Sequence, residues 1–465
     1  MNENQQKIIN YNDNIRIIAG AGCGKTYTLI LKISDLINNK NISPTDILVI
    51  SFTNNSVNDI KMKISSEINV FTFHKLAIHI LNKCKFNYQL ITSNYLDYII
   101  YEYLHTISSK EKNYILKFVK YPKSYSSFLK SKEFDSFKNL IIKYINLLKA
   151  NGIAIIKNKI SSYTTSEKNI LFIILNIYKT YIIEKISTNS LDLDDLIIYA
   201  TKYVKKINFS YKYIIIDEFQ DTSFIRFQLI LALIKNTKAK IIVVGDDWQS
   251  IYRFTGCDLQ LFLDLPNFIS NIKTFKLEEN YRNSNKILQI SKIFIEKNKY
   301  QIAKKPYSNI FIDKPIKLVE YNNPALVLNE LLDVFITNNL NATILIRNSI
   351  DIYSYLNPEI KINNNSIVYK KIFFPFMTIH KSKGLEFENV ILLNCNNDIM
   401  GFPNKIEDNS IIRKLQINNE IKYAEERRLF YVALTRTKNV IYLLYNSHNP
   451  SIFIKEIKKI IKKFS

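Results

Sequence analysis

The sequence predicts an α/β protein with parallel sheets in two domains and a helical insertion in the first. Three observations carry this expectation. A strand, a glycine-rich turn and a helix follow one another over residues 15–37. Apolar runs of strand length alternate with helical periodicity up to about residue 90, and again from residue 213 to 445. Between them, over residues 91–190, strand patterning fades and long helical periodicity takes over. Parallel strands need crossover connections, so regular strand–helix alternation reads as a parallel sheet wrapped by helices. At 465 residues, the chain is also too long for one compact core to be the default.

The first strand, Ile15–Ile18, runs into Ala19-Gly20-Ala21-Gly22-Cys23-Gly24-Lys25-Thr26, and Leu29, Ile30, Ile33, Leu36 and Ile37 mark the helix behind it. This is the context of a phosphate-cradling loop, with Ala19 where the strict pattern has glycine. The small residues Gly20, Ala21, Gly22, Cys23 and Gly24 let successive backbone N–H groups close around an anion, and the helix N-terminus adds its positive end. Lys25 can reach the β- and γ-phosphates, while the Thr26 hydroxyl can hold Mg²⁺.

Strands at Ile47–Ser51 and Asn69–Thr72 complete the first alternating region. In the helical stretch, Leu140, Ile141, Tyr144, Ile145 and Leu148 share one face, and Asn151-Gly152 is a natural stop. Lys117, Lys120, Lys123, Lys130 and Lys132 read mainly as a solvated surface, with room for a few to line a nucleic-acid path. Strands resume at Tyr213–Ile216 and Ile241–Gly245, returning the chain to the first sheet. A second set begins near Ile272–Leu277 and continues through Thr343–Ile346, Asn389–Leu393 and Val440–Tyr445. The expected division is therefore residues 1–90 with 191–268, a helical subdomain at 91–190, and a second α/β domain at 269–465. Asn363–Asn365 reads as loop and Lys455–Lys463 as a solvated basic helical end.

Composition narrows the function. Hydrophobic residues make up 47% and charged residues 23%, as in a globular chain. A net charge of +23 attracts polyanions or anionic surfaces. The 4 cysteines (Cys23, Cys84, Cys257, Cys395) form no C-x-x-C pair, so neither a disulfide framework nor a zinc site is expected. The start, MNENQQKII, lacks a signal segment, and no apolar stretch approaches the ~20 residues that cross a bilayer. The expectation is a soluble, cytoplasmic protein with no membrane partner.

The strand Tyr213–Ile216 ends directly in Asp217 and Glu218. Alone, two acids after a strand are often a helix cap. Beside Gly24-Lys25-Thr26 they read as the second half of a nucleotide site, in which Asp217 shares Mg²⁺ with Thr26 and Glu218 polarises the attacking water.

With both halves placed, Asp217-Glu218-Phe219-Gln220-Asp221-Thr222 and the 19–26 loop resemble the UvrD/Rep/PcrA family of superfamily 1 DNA helicases. Other blocks of that family follow in order. Asn2 to Gln5 resembles its Q motif. Ser51-Phe52-Thr53-Asn54 and Phe71-Thr72-Phe73-His74 resemble its strand-contacting blocks, and Leu191-Asp192-Leu193-Asp194-Asp195-Leu196 its acidic block. Residues 244–254, 277–282, 378–387 and 431–437 resemble the remaining motifs, so the likeness runs from residue 2 to about 445.

The resemblance implies two RecA-like P-loop domains and an ATP- and Mg²⁺-dependent DNA helicase or translocase. Its substrate would be single-stranded or 3′-tailed duplex DNA, its direction 3′ to 5′, with replication or repair proteins as partners. It implies that Gln5 reads the adenine edge, Tyr281 stacks on the base and Glu386 touches the ribose. Gln249 would sense the γ-phosphate, with Arg282 and Arg436 as arginine fingers. Nucleic-acid contacts would fall to Phe52, Thr53, Asn54, Thr72, His74, Tyr252, Phe254, Thr378 and His380, with Tyr252 and Phe254 stacking on bases from a strand or loop beside the cleft. The intact ATP motifs argue against a binding module with a dead ATPase.

The sequence also departs from the family. Tyr27 stands where Arg is common, and Trp248, Phe254 and Thr255 replace the more usual Asp, Trp and Arg. That variant resembles the helicase IV branch, whose members carry a further domain before this loop, whereas the loop here begins at residue 19. Between Arg347 and Thr378 the family inserts a sizeable helical subdomain, where a short loop at 348–376 is expected here. With the short stretch printed after Tyr445, a nuclease or zinc-binding domain is not expected there. These differences lead to the expectation of a minimal motor that translocates readily and unwinds weakly or with a partner.

Overall fold

The runs marked by the sequence form the middle of a first sheet. In a computed structural model describing residues 1–92, 94–152, 159–415 and 421–464, β1 (Ile15–Ala19), β2 (Ile47–Ser51) and β3 (Asn69–Thr72) are followed by two short strands, β4 (Gln89–Leu90) and β5 (Ser190–Leu191). Then come β6 (Tyr213–Ile216), β7 (Lys240–Gly245) and β8 (Lys273–Leu277). The sheet order is β3-β2-β6-β7-β1-β8, with every pairing parallel. Helices cover both faces, which is why β2 and β6 are unbroken apolar runs and every residue in them is buried. The loop after β1, the carboxylates after β6 and the turn after β7 leave the sheet at its carboxyl edge, where such sheets bind ligands.

One strand falls elsewhere than expected. The 273–277 run, read as the start of the second domain, pairs with β1 from Ile15↔Lys273 to Ala19↔Leu277 and closes the edge of the first sheet. It is an edge strand with one wet face, Thr274 and Lys276, while Phe275 and Leu277 pack on the core, and this two-faced pattern resembles neither set of buried strands.

The helices Asn94–Thr106, Ser109–Val119, Tyr125–Phe128, Lys132–Asn151 and Thr165–Ser187 fold around their own apolar core. Serine and threonine caps start four of them, and Gly152, at φ 81°, stops Lys132–Asn151. At the root of this insertion β4 and β5 pair in parallel, Gln89 with Ser190 and Leu90 with Leu191. The acidic block holds the same junction. Asp192 caps the helix Leu193–Tyr203 and takes Lys149 at 2.5 Å and Lys185 at 2.8 Å, both reaching out of the insertion.

The second sheet contains β9 (Ile316–Tyr321), β10 (Thr343–Ile346), β11 (Ile360–Asn363), β12 (Ser366–Tyr369), β13 (Ile372–Thr378), β14 (Phe387–Leu392) and β15 (Thr437–Asn446), in the order β11-β12-β13-β10-β14-β15-β9. It is parallel except at one edge, where β11, β12 and β13 run antiparallel. Residues 348–376 are therefore no simple loop. They form a 3-10 turn at Asp351–Tyr355 and a hairpin whose Ile360, Ile367, Tyr369 and Phe374 join the buried core. Asn363 ends β11, and Asn364 turns the corner at φ 52°. The basic end is likewise more than a solvated tail: the helix Ile452–Ile461 buries Phe453, Ile454, Ile457 and Ile460 while Lys455 stays exposed.

A piece of the second lobe also completes the core of the insertion. The helix Ser410–Leu415 places Ile411, Ile412 and Leu415, all essentially inaccessible, among the insertion's apolar side chains. Lys414 and Ser410 meet Glu167 at 2.5 and 2.6 Å, and Lys143 pairs with Asp408.

Candidate nucleotide site and nucleic-acid face

Gly22 and Gly24 take φ angles of 73° and 72°, left-handed values that turn successive N–H groups into the loop. At Gly22 a Cβ would lie 2.7 Å from the Cβ of Arg282, so the loop and the strand-end segment 278–284 approach as closely as glycine permits. Asn280 fixes that approach. Its amide donates to the Ala21 carbonyl, and its Oδ1 accepts from the N–H groups of Arg282 (2.9 Å) and Asn283 (2.7 Å).

The lobes enclose a cleft of about 640 Å³. The first lobe lines it with Gln5, Ala21, Gly22, Gly24, Lys25, Thr26, Asp217, Glu218 and Gln249, and across it stand Tyr281, Arg282, Glu386 and Arg436. Gly20 and Cys23 lie beneath the lining, where they shape the turn through a Cys23 N–H to Gly20 carbonyl bond of 3.3 Å. Gln5 forms a capping box with Asn2 and donates to Thr28 at 3.2 Å. Tyr281, half exposed, donates its hydroxyl to Glu279 at 2.9 Å. Glu386 takes Arg282 at 2.9 Å and Lys438 at 2.7 Å.

At the base of the cleft the Lys25 ammonium lies 2.6 Å from the Glu218 carboxylate. Burial disfavours the ammonium, yet Glu218, Asp217 and Asp246 outweigh it and hold Lys25 charged. Burial and the Glu218 charge push Asp217 up, whereas Lys25 and Lys383 overcome burial at Glu218 and hold it down. Glu218 sits at φ 52°, a left-handed strain that recurs at catalytic positions. Across the cleft Arg436 donates to Gln249 Oε1 at 2.8 Å, while Gln249 Nε2 donates to Asp246 at 2.5 Å. Burial, reinforced by Arg282, lowers Arg436 to about 9, so the guanidinium is poised to gain from an anion.

Thr26 and Asp217 offer two oxygen ligands on one wall. A divalent cation there would take its other ligands from phosphates and water, the habit of Mg²⁺, and would relieve the crowded carboxylates. The residues fit the ion.

Beside the cleft, Tyr252, Phe254 and His380 form one aromatic patch, with Phe254 5.5 Å and Tyr252 6.2 Å from the His380 ring. Phe254 is 48% exposed, whereas the Tyr252 hydroxyl is tied to the His380 carbonyl at 3.0 Å. Of the strand or loop expected there, the structure has the loop: Tyr252 precedes and Phe254 lies within a 3-10 turn, Arg253–Thr255, and Gly256 after it packs closely against Ala150 of the helix Lys132–Asn151. Burial, with Arg347 and Lys383 nearby, pushes His380 down to about 4, so it is neutral at pH 7. Thr378 ends β13 and accepts from the Lys381 N–H at 3.4 Å.

A second patch gathers around Arg226, whose guanidinium lies 4.6 Å over the Phe52 ring and 5.8 Å over that of Phe73. Thr53 caps the helix that Asn54 begins, and both are exposed. Thr72 is buried and accepts from the Lys75 N–H as a cap, which leaves its hydroxyl engaged. His74 is lowered by burial and by Arg226.

Two family comparisons agree with this geometry. Residues 1–270 match the UvrD/REP helicase N-terminal domain, and residues 361–448 match the UvrD-like helicase C-terminal domain. The chain belongs to the UvrD/Rep helicase family.

Among its relatives, DNA helicase IV of Escherichia coli is 26% identical over 484 residues, covering 97% of this chain and 69% of that protein. A probable DNA helicase II homolog of Mycoplasma capricolum is 32% identical over 330 residues, 68% of this chain and 43% of that protein. A probable DNA helicase of Mycoplasma pneumoniae is 24% identical over 502 residues, 99% of this chain and 87% of that protein. This UvrD-like chain thus spans less than half of one relative and most of another. Among the described residues no helix is long and apolar enough to cross a membrane.

Three residues beside the cleft carry no signal of their role in the sequence. Asn280 and Lys383 lie inside the family-like blocks at 277–282 and 378–387, and Lys304 lies outside every such block. Lys383 joins the two sites: its ammonium meets Asp221 at 2.5 Å and the Gln249 carbonyl at 2.7 Å, 4.9 Å from the Tyr252 ring. Burial pushes Asp221 up to about 6, against the pull of that lysine.

Proposed function

We propose that this UvrD-like protein hydrolyses MgATP to move along single-stranded DNA, 3′ to 5′, separating strands ahead of it. The observation that carries the reading is the Arg436–Gln249 bond of 2.8 Å, because it joins a second-lobe cation to the first-lobe phosphate wall. Hydrolysis then depends on closure of the cleft. Lys25 and the loop N–H groups bind the phosphates, Glu218 takes a proton from the attacking water, and Gln249 orients that water. Arg282 and Arg436 neutralise the charge that develops on the γ-phosphoryl group. Thr26 and Asp217 would hold the Mg²⁺ that comes with the substrate, and its positive charge would offset that of the phosphates. Gln5, Tyr281 and Glu386 seat the nucleoside.

The strand would cross the Tyr252–Phe254–His380 patch and the Phe52–Arg226 patch, with stacking on Phe254 independent of base identity. Thr53, Asn54, His74 and Thr378 would serve as phosphate or sugar contacts. Thr72 would act by capping the helix that presents His74. In this reading the first lobe comprises residues 1–90 and 191 to the end of β8, the insertion residues 91–190, and the second lobe the remainder. A 3′-tailed duplex is the expected substrate, with replication or repair proteins as partners.

The test is ATP hydrolysis with and without single-stranded DNA, duplex DNA or single-stranded RNA, using Lys25→Ala as control. Strong stimulation by single-stranded DNA, lost in the variant, supports the reading, and hydrolysis indifferent to every polymer overturns it. The hairpin at 360–369, where relatives carry a larger subdomain, favours a second reading, a translocase that strips proteins without robust unwinding. A strand-displacement assay beside the ATPase assay separates the two.

A further inference from the structure

We propose that Lys304 is a positioning residue of the hydrolytic site, setting the Gln249 amide through the Asp246 carboxylate. The inference rests on the reading of the cleft as a site of ATP hydrolysis. Lys304 lies beyond the helix Asn285–Ile295, and its side chain is 4% exposed. Its ammonium pairs with Asp246 and, at 2.6 Å, with Asp247, both of which are fully buried. It also lies 4.6 Å from the Trp248 ring, which meets Tyr431 edge-on at 5.5 Å.

Two adjacent buried carboxylates cannot both stay ionised without a cation between them. Lys304 supplies that cation. It engages Oδ1 of Asp246, where the Trp248 N–H also donates at 3.1 Å, and so leaves Oδ2 as an acceptor for Gln249 Nε2 at 2.5 Å. A carboxylate only accepts and a guanidinium only donates. Asp246 therefore holds the NH₂ end of Gln249, and the Oε1 end must face Arg436, which donates to it at 2.8 Å. Without Lys304 the Asp246 carboxylate loses the ammonium that fixes it, and the amide loses the anchored partner that defines its orientation. The Ile302 N–H to Asp247 bond of 2.7 Å anchors the segment that delivers the lysine.

Lys304→Met alone would leave two unbalanced carboxylates and could unfold the cluster. Lys304→Met combined with Asp247→Asn keeps the buried net charge at one carboxylate, and Asp247→Asn alone sets the baseline. The measurement is MgATP turnover in the presence of single-stranded DNA. A second readout is the emission of Trp248, the 1 tryptophan of the chain, titrated with a non-hydrolysable ATP analogue and Mg²⁺. The expected result is a kcat at least tenfold below the baseline with KM for ATP and analogue affinity within threefold, and partial recovery of kcat in Lys304→Arg. A kcat within twofold of the baseline overturns the assignment. So does a loss of kcat and KM together that follows the folded fraction. If the unaltered protein binds the analogue but hydrolyses no ATP, the hydrolytic reading itself fails and this inference falls with it.

Discussion

Lys25 and Glu218, 2.6 Å apart at the base of the cleft, are mutual counter-ions, although the proposed mechanism sets them on opposite sides of the γ-phosphate. In that mechanism substrate phosphate would take Lys25 from Glu218 and free the carboxylate for water. Glu218→Gln removes the base and also the competitor for the ammonium. We expect kcat to fall by about 10²- to 10⁴-fold, while ATP affinity holds or rises. Lys25→Ala should lose both affinity and turnover. Equilibrium binding of a labelled ATP analogue, measured beside turnover, checks the pair, and weakened binding in Glu218→Gln would refute the competition.

His380 bears on both pH and DNA. Its folded-state value is pushed down to about 4 by burial, below the 6.5 of a free imidazole. Between those values the unfolded chain holds the extra proton, so stability is fully present above pH 6.5 and drains away as pH falls toward 4. The loss is on the order of 2–3 kcal/mol. His380→Gln should flatten that acid slope in urea denaturation measured from pH 7.5 to 4.5. Because the ring stays neutral, His380 should add no step to single-stranded DNA affinity between pH 8 and 5.5.

The ATP wall was legible because each of its pieces is local. Gly24-Lys25-Thr26 and Asp217-Glu218 each follow an apolar strand that the sequence marks, and the sheet needs only to bring the strand ends together. Arg282 and Arg436 were legible only through motif resemblance, since no local pattern announces a residue that works across a cleft. Lys304 had no signal of either kind. A lysine in a chain rich in lysine reads as solvated, and only the fold reveals the two aspartates that bury it. The 273–277 strand was misplaced because one wet face disguises a member of a buried sheet. The Asp192 block was recognised as a motif, whereas its ion pairs with Lys149 and Lys185 depend on helices more than 40 and 7 positions away in the chain.

Gly256 makes the aromatic turn possible, and Gly384 offers a comparison at almost the same backbone angle. Gly256 sits at φ 88°, and a Cβ there would lie 2.3 Å from the Cβ of Ala150, whereas Gly384, at φ 85°, has nothing within 4 Å. Gly384→Ala should cost only the backbone strain, roughly 1 kcal/mol. Gly256→Ala adds a collision with the helix Lys132–Asn151 and should cost about 2–4 kcal/mol in all. Thermal denaturation of the two variants separates strain from clash. The Gly256 variant should also weaken DNA stimulation of hydrolysis, since the turn carries Phe254.

The clasp from the second lobe has a comparable consequence for coupling. Ile412 is 1% exposed, and it is buried in the insertion of the first lobe although its own chain belongs to the second. Ile412→Ala should therefore destabilise the protein by about 2–5 kcal/mol, the range for truncating a buried aliphatic side chain. The Glu167 contacts, 2.5 Å from Lys414 and 2.6 Å from Ser410, hold the same junction with a carboxylate lowered to about 2, burial being outweighed by Lys414 and Ser410. If cleft closure carries the insertion along through this clasp, Ile412→Ala should leave basal hydrolysis within about threefold and reduce its stimulation by single-stranded DNA more than tenfold. No described residue of the insertion lines the cleft, so a variant that loses basal and stimulated rates equally would mean that the clasp only stabilises. Paired measurements of the two rates, at a temperature well below the variant's melting transition, decide between them.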